Sequence, residues 1–230
     1  MNVLKSIMVP IHKEGFPFIV LFASFSAILF WYLDNWGLLG IVLTLWCTYF
    51  FRDPKRVTPT RDGLIISPAD GIVQLIEKAS PPPELGIGKK MRQRISIFMN
   101  VFNVHINRAP INGSVQRMAY RPGSFVNASL DKASKDNERM GILLKTKDGV
   151  EIVCVQIAGL VARRIICWVS ENQELAVGER FGMIRFGSRV DIYLPDSVLP
   201  IVCLGQTVVA GETVLADLKA QELKRTGLTH

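Results

Sequence analysis

The sequence predicts a mainly β (α+β) fold class, with an N-terminal transmembrane helical hairpin followed by a β-rich domain. Three observations carry this. Two long apolar runs near the N-terminus contain no charged residue, short runs punctuated by turn residues fill the rest, and the net charge of +7 lies wholly in that second part. With 49% hydrophobic residues and a mean hydropathy of +0.26 over 230 residues, the chain is more apolar than a soluble domain needs.

The apolar excess is concentrated in 16–33, FPFIVLFASFSAILFWYL, and 37–51, GLLGIVLTLWCTYFF, with only DNW between them. At about 1.5 Å per residue the first run spans roughly 27 Å, against a hydrocarbon core of about 30 Å. The second is shorter, which leaves a single tilted span or a re-entrant hairpin open beside two full spans. Lys5 and Lys13 precede the pair and Arg52, Lys55, Arg56 and Arg61 follow it, whereas the turn carries only Asp34. Loops rich in Lys and Arg stay cytoplasmic, so both ends are expected on the cytoplasmic side of the inner (cell) membrane. A cleaved signal peptide fits poorly, because the apolar stretch is too long and no small-residue cleavage site precedes the second run. The domains expected are an anchor at 1–51 and a cytoplasmic β domain at 52–230.

Residues 1–51 hold Lys5, Lys13, Glu14 and Asp34, which sum to zero, so the whole charge of +7 belongs to the second domain. An anionic membrane surface is the counter-charge this implies, at about 1 kcal/mol per Lys or Arg near it. Nucleic acid is not expected as a partner. The KKMRQR cluster at Lys89–Arg94 has no interleaved aromatic residues, and no helix-turn-helix, zinc-finger or RNA-recognition signature occurs. Cys47, Cys154, Cys167 and Cys203 form no CxxC pair, so neither a disulfide framework nor a metal site is indicated.

Strands are expected at 71–76, 95–98, 114–120, 141–146, 150–157, 164–169, 189–194 and 213–218, each a short apolar or alternating run. The clearest hairpin is GILLKTKDGVEIVCVQIAG, where Asp148-Gly149 is expected to supply positive φ angles. ASPPPELGIGKKMRQ reads as a solvated loop and NASLDKASKDNERMG as a second long one.

Chemistry is sought among the rare residues. Of the three histidines, His12, His105 and His230, only His105 sits in a β context, within FMNVFNVHINRAPINGSV. Asp70, in SPADGIV, precedes a glycine at a strand start, where an ordinary turn aspartate would also be at home. Gly-Ser occurs at 113–114, 123–124 and 187–188, and local reasoning does not rank the three.

The ordered set SPADG, FMNVFNVHINRAPINGSV, YRPGSFVNA, NER, GERFGMIRFGSRVDIYLP and GQTVVAGETVLADL resembles the short, membrane-anchored type of phosphatidylserine decarboxylase proenzyme over most of residues 62–218. The resemblance implies self-cleavage between Gly187 and Ser188 into chains 1–187 and 188–230 that stay together as a heterodimer. Ser188 then becomes a pyruvoyl group, the covalent cofactor, which forms a Schiff base with phosphatidylserine and releases CO2 to give phosphatidylethanolamine. It also maps the family's aspartate onto Asp70 and its histidine onto His105. Longer members resemble a pattern with two histidines three residues apart; here the second position is Arg108, which stays protonated and suits orientation or a substrate-anion contact better than base catalysis.

The residue types support that chemistry, since a serine is a weak nucleophile until an adjacent base takes its proton, and a carboxylate can orient that base. Ser188 Oγ would attack the Gly187 carbonyl to form an ester; loss of the serine Cα proton, elimination and hydrolysis would leave pyruvoyl. A rival reading remains. VCLGQTVVAGETVLADL and SPADGIV are also similar to strand-and-turn units of biotinyl or lipoyl carrier domains, although no lysine stands at a hairpin tip between them. Oligomeric state is left open.

Overall fold

The computed structural model describes residues 9–123, 136–159, 164–185, 188–220 and 225–228. Ser124, most of NASLDKASKDNERMG and Gly187 lie outside the described residues. The chain divides into two compact units, Met1–Lys55 and Arg56–His230.

The first unit is helical. Helix α1 runs Phe16–Leu33 and α2 runs Gly37–Phe50, joined through a single 3-10 turn, Asp34–Trp36. They fold back on one another because small residues meet: a Cβ on Gly40 would lie 2.6 Å from Ser26 Cα, and Ser26 Oγ donates to Gly37 O at 2.8 Å. Asp34 takes φ 44°, which lets the chain reverse. The outer apolar surface is bare, with Val20 and Leu21 each 62% exposed.

The second unit is β throughout. Its strands are β1 (Leu64–Ile66), β2 (Gly71–Ala79), β3 (Arg92–Met99), β4 (Ile106–Arg108), β5 (Gly113–Arg121), β6 (Arg139–Lys145), β7 (Glu151–Ala158), β8 (Ile165–Cys167), β9 (Glu174–Leu175), β10 (Arg180–Ile184), β11 (Ser188–Leu194), β12 (Thr207–Val208) and β13 (Val214–Asp217). A large antiparallel sheet runs in the order β12-β2-β3-β11-β7-β6-β5-β9, accompanied by a β4-β10-β8 sheet and a β1-β13 pair. Period-two alternation gives β11 two faces. Val190, Ile192 and Leu194 enter the main core with Ile97, Met99, Cys154, Ala158, Phe181 and Leu215. Tyr193 points the other way, into a smaller core with Leu85, Val153, Val155 and Ile157.

Three expectations change. The ASPPPELGIGKKMRQ stretch is not a wholly solvated loop: Pro81, Pro82 and Leu85 are buried, and Leu85 covers the second face of the sheet. Arg139 holds this cover through Glu84, its Nη2 donating to Oε2 at 2.8 Å. In the β6–β7 hairpin only Gly149 takes positive φ, at 81°; Gly149 N donates to Thr146 O and Thr146 N to Val150 O, the pattern of a type I turn with a glycine bulge. The strand expected at 189–194 begins one residue earlier and takes in Ser188, which is 0% exposed and paired on both sides.

Candidate functional site

Ser188 opens β11, in register with Met99 on β3 and Ala158 on β7. Its Oγ is buried and has no hydrogen-bond partner among the described residues. Native folds rarely leave a buried hydroxyl in that condition, because desolvation without a replacement bond costs about 1–3 kcal/mol.

Asp70 reaches the same end of the sheet from the other side of β3. Ile72 and Arg189 both pair with Phe98, so the residues before them, Gly71 and Ser188, arrive level at the end of β3. Gly71 is obligatory there, since a Cβ would collide with Phe98 O. The carboxylate of Asp70, 8% exposed, accepts from Arg56 Nη2 at 3.0 Å (Oδ1) and 2.8 Å (Oδ2), and from Ala210 N at 2.8 Å. Three donor contacts converge on that carboxylate and fix its position.

His105 returns to this end through a closed turn after β3. Asn103 N donates to Asn100 O at 3.0 Å, while Asn103 Oδ1 accepts from Asn100 N at 2.8 Å. The imidazole is 1% exposed, with Nδ1 3.0 Å from Asn103 O. A carbonyl only accepts, so Nδ1 carries a proton in this bond, and in the neutral imidazole that makes Nε2 the nitrogen with the lone pair a general base needs. His105 O in turn accepts from Ile184 N at 3.2 Å, at the end of the strand whose chain leads to Ser188.

Asp70 and Ser188 therefore arrive at one end of the sheet, and His105 follows β3 beyond that same end. Nδ1, the nitrogen an orienting carboxylate takes in a Ser-His-Asp relay, is held by the Asn103 carbonyl. Arg108 is 6% exposed and donates from Nη1 to Gly178 O at 2.9 Å, while its own N–H bonds Pro68 O in the turn that carries Asp70. It braces the site from within. Sequence reasoning missed Arg56, which looked like one more topology-setting charge, and Asn103, whose part is played by its backbone.

A cavity of about 850 Å³ lies elsewhere, lined by Asp62, Asn112, Lys147, Glu174 and Lys219 among others. It sits at the Glu151 end of β7, roughly 23 Å of strand from Ala158. Lys and acid side chains share its walls, and the chemistry-bearing residues do not reach it. Of the cysteines, burial pushes the Cys154 and Cys167 thiols up, away from reactive thiolates.

Comparisons with known proteins bear on this site. The family model described as phosphatidylserine decarboxylase matches residues 43–216. Phosphatidylserine decarboxylase proenzymes of Cereibacter sphaeroides and Paramagnetospirillum magneticum are each 57% identical to the chain over 226 residues. These matches cover 98% of the chain, with 97% and 94% of those proteins. The proenzyme of Ruegeria pomeroyi is 58% identical over 219 residues, covering 95% of the chain and 100% of that protein.

Proposed function

The chain belongs to the phosphatidylserine decarboxylase family, and on that premise we propose that it is a self-cleaving carboxy-lyase converting phosphatidylserine to phosphatidylethanolamine and CO2. The observation that carries this at the site is Ser188, a buried, unpartnered hydroxyl at the head of a strand where His105 and Asp70 also arrive. Ser188 is the precursor of the pyruvoyl group in this reading, and the site fits it: the donor atom is the chain's own, is shielded from water, and has no competing bond to break.

His105 is the base that takes the Ser188 hydroxyl proton, through the nitrogen its tautomer leaves basic, and later the residue that returns a proton to product. Asp70 acts as a fixed negative charge that stabilises the imidazolium as it forms. Arg56 keeps that charge in place. Arg108 acts by orientation; a direct contact with a substrate anion is the role its buried bond to Gly178 supports least. The pyruvoyl group, when present, supplies the electrophilic carbonyl and the electron sink for decarboxylation.

The products 1–187 and 188–230 remain a heterodimer in this proposal. β11 begins at Ser188 and lies between β3 and β7, both from the longer fragment, so leaving would break two ladders at once. Helices α1 and α2 anchor the protein in the inner membrane from the cytoplasmic side; exposed Trp31, Tyr32 and Trp36 cluster where an interfacial aromatic belt belongs. The turn at Ser67–Asp70 and the β12–β13 segment are the units that resemble carrier domains, with β12 pairing β2 and β13 pairing β1.

The test is turnover. Purified protein given vesicles of phosphatidylserine should release CO2 and accumulate phosphatidylethanolamine, and prior treatment with borohydride plus amine should abolish this. Turnover that survives the treatment would overturn the pyruvoyl reading.

A further inference from the structure

Gln156 is the single uncharged, hydrogen-bonding polar side chain in the strand EIVCVQIA, and it is 0% exposed. It falls between Cys154 and Ala158, both in the main core, so it projects from the same face of the sheet as Ser188. Nε2 donates to Asn107 Oδ1 at 2.8 Å, whereas Oε1 has no partner. The fold makes room for this amide, since a Cβ on Gly182 would lie 2.8 Å from Gln156 Nε2 and 2.5 Å from Ile166 O. Asn107, also 0% exposed, turns its own Nδ2 toward Pro68 O at 3.4 Å and Met99 Sδ at 3.7 Å. The amide pair thus spans from β7 to the turn carrying Asp70 and to the strand residue opposite Ser188.

Two buried orphans now share one face: an acceptor, Gln156 Oε1, and a hydroxyl, Ser188 Oγ. Val190 is opposite Gln156 and Ser188 opposite Ala158, so the two are diagonal neighbours, a spacing of about 7–8 Å that long side chains bridge. Ser96 Oγ, likewise without a partner, belongs to the opposite face of β3 and is not a candidate.

We propose that Gln156 positions the Ser188 nucleophile by accepting a hydrogen bond from its hydroxyl, directly or through one water, and that Asn107 aims Gln156. The inference rests on the self-cleavage reading. The bond fixes the rotamer of Ser188 so that an Oγ lone pair faces the peptide carbonyl that precedes it, before His105 removes the proton.

The experiment follows self-cleavage of the full chain in detergent micelles by gel and intact mass. Gln156→Met, nearly isosteric without the acceptor, should lengthen the half-time of cleavage about 3- to 10-fold, the worth of one neutral hydrogen bond. Gln156→Glu keeps an acceptor and should cleave faster than Gln156→Met, with a rate that rises as the new carboxyl ionises, a pH dependence that packing alone does not create. Asn107→Ala, which leaves Gln156 present but unaimed, should slow cleavage by a smaller factor. Wild-type rates in both Gln156→Met and Asn107→Ala would overturn the inference, as would equal slowing by Met and Glu at every pH. A wild-type chain that never cleaves would overturn the function reading and this inference with it.

Discussion

Ser188 and Arg189 are adjacent on one strand, equally buried, and face opposite sides of the sheet. Their surroundings differ, although Ser96 Oγ on the Arg189 face is also without a partner among the described residues. Arg189, 0% exposed, donates to Asp191 from Nε at 2.7 Å and Nη2 at 2.9 Å, and Asp191 lies 3.6 Å from Nη1 of Arg94, whose Nη2 pairs with Glu77. On the Ser188 side the hydroxyl and the nearby Gln156 oxygen are left without partners. Burial alone does not explain the contrast. One face satisfies its charges and so fixes the register of β11, on which the position of Ser188 depends, because a one-residue slip would exchange the two faces. The other face leaves Ser188 Oγ and Gln156 Oε1 uncommitted to structural bonds among the described residues, so both are available to the reaction.

This contrast predicts that mutations on the Ser188 face change rates and those on the Arg189 face change stability. The largest effect is expected for His105→Ala, which should slow self-cleavage about 10²- to 10⁴-fold, the usual contribution of a general base, with unfolding temperature near wild type. A gel time course checks the first part and a thermal melt the second. Cleavage within threefold of wild type would remove His105 from the chemistry.

Next comes Asp191→Ala, which takes the Asp191 carboxylate away from a fully buried guanidinium. Breaking such a pair costs about 3–5 kcal/mol, so the unfolding temperature of the full chain in micelles should drop by roughly 10 °C. Replacing both partners, Arg189→Met with Asp191→Leu, should recover most of that loss. A double variant as unstable as the single would show that the pair does more than balance charge.

A smaller, pH-dependent effect is expected where the second face is capped. Burial raises the Glu84 pKa, but the hydrogen bonds and charge of Arg139, helped by a backbone bond and Arg121, outweigh it and hold the carboxyl below its usual value of 4.5. A depressed carboxylate contributes stability above its unfolded pKa and loses it as pH falls through the folded value. Melting temperature should therefore decline as pH drops below about 4.5, and Glu84→Gln should flatten that part of the profile. An unchanged profile would mean that Leu85 burial, not the ion pair, holds the cover. On this same face Tyr193 is pushed up to about 12 by burial, with the Asp191 charge adding to it, so it remains neutral across that range.

Much of this was legible in the sequence because it is written in short-range patterns. The charge-free runs end within a residue of α1 and α2, and period-two alternation located β2, β3, β5, β6, β7 and β11 to within a few residues at each end. Strands β4 and β10 were missed, as were the two- and three-residue β1, β9 and β12: INR is too short to show a period, and RFGMI is interrupted by Gly182, whose reason for being glycine is the Ile166 carbonyl and the Gln156 side chain on neighbouring strands. The same holds at the site. Asp70, His105 and Ser188 stood out as rare or motif-borne residues, whereas Arg56 acts across 14 residues and Gln156 across 49, separations no local pattern encodes. One signal was available, a lone glutamine at a core-facing position of an apolar strand.

The central claim is that Ser188 is the residue self-cleavage consumes, and intact mass tests it most directly. The purified wild-type chain should resolve into residues 1–187 and 188–230, the shorter fragment lacking a free amino terminus and reacting with borohydride in the presence of amine. Ser188→Ala should give one uncleaved chain with a melting temperature close to wild type, since it removes one hydroxyl that makes no structural hydrogen bond among the described residues. Ser114→Ala, at the Gly-Ser site whose hydroxyl accepts from Gln116 at 2.7 Å, should cleave normally. A wild-type chain that stays intact while decarboxylating, or a Ser188→Ala chain that still splits at this bond, would contradict the account.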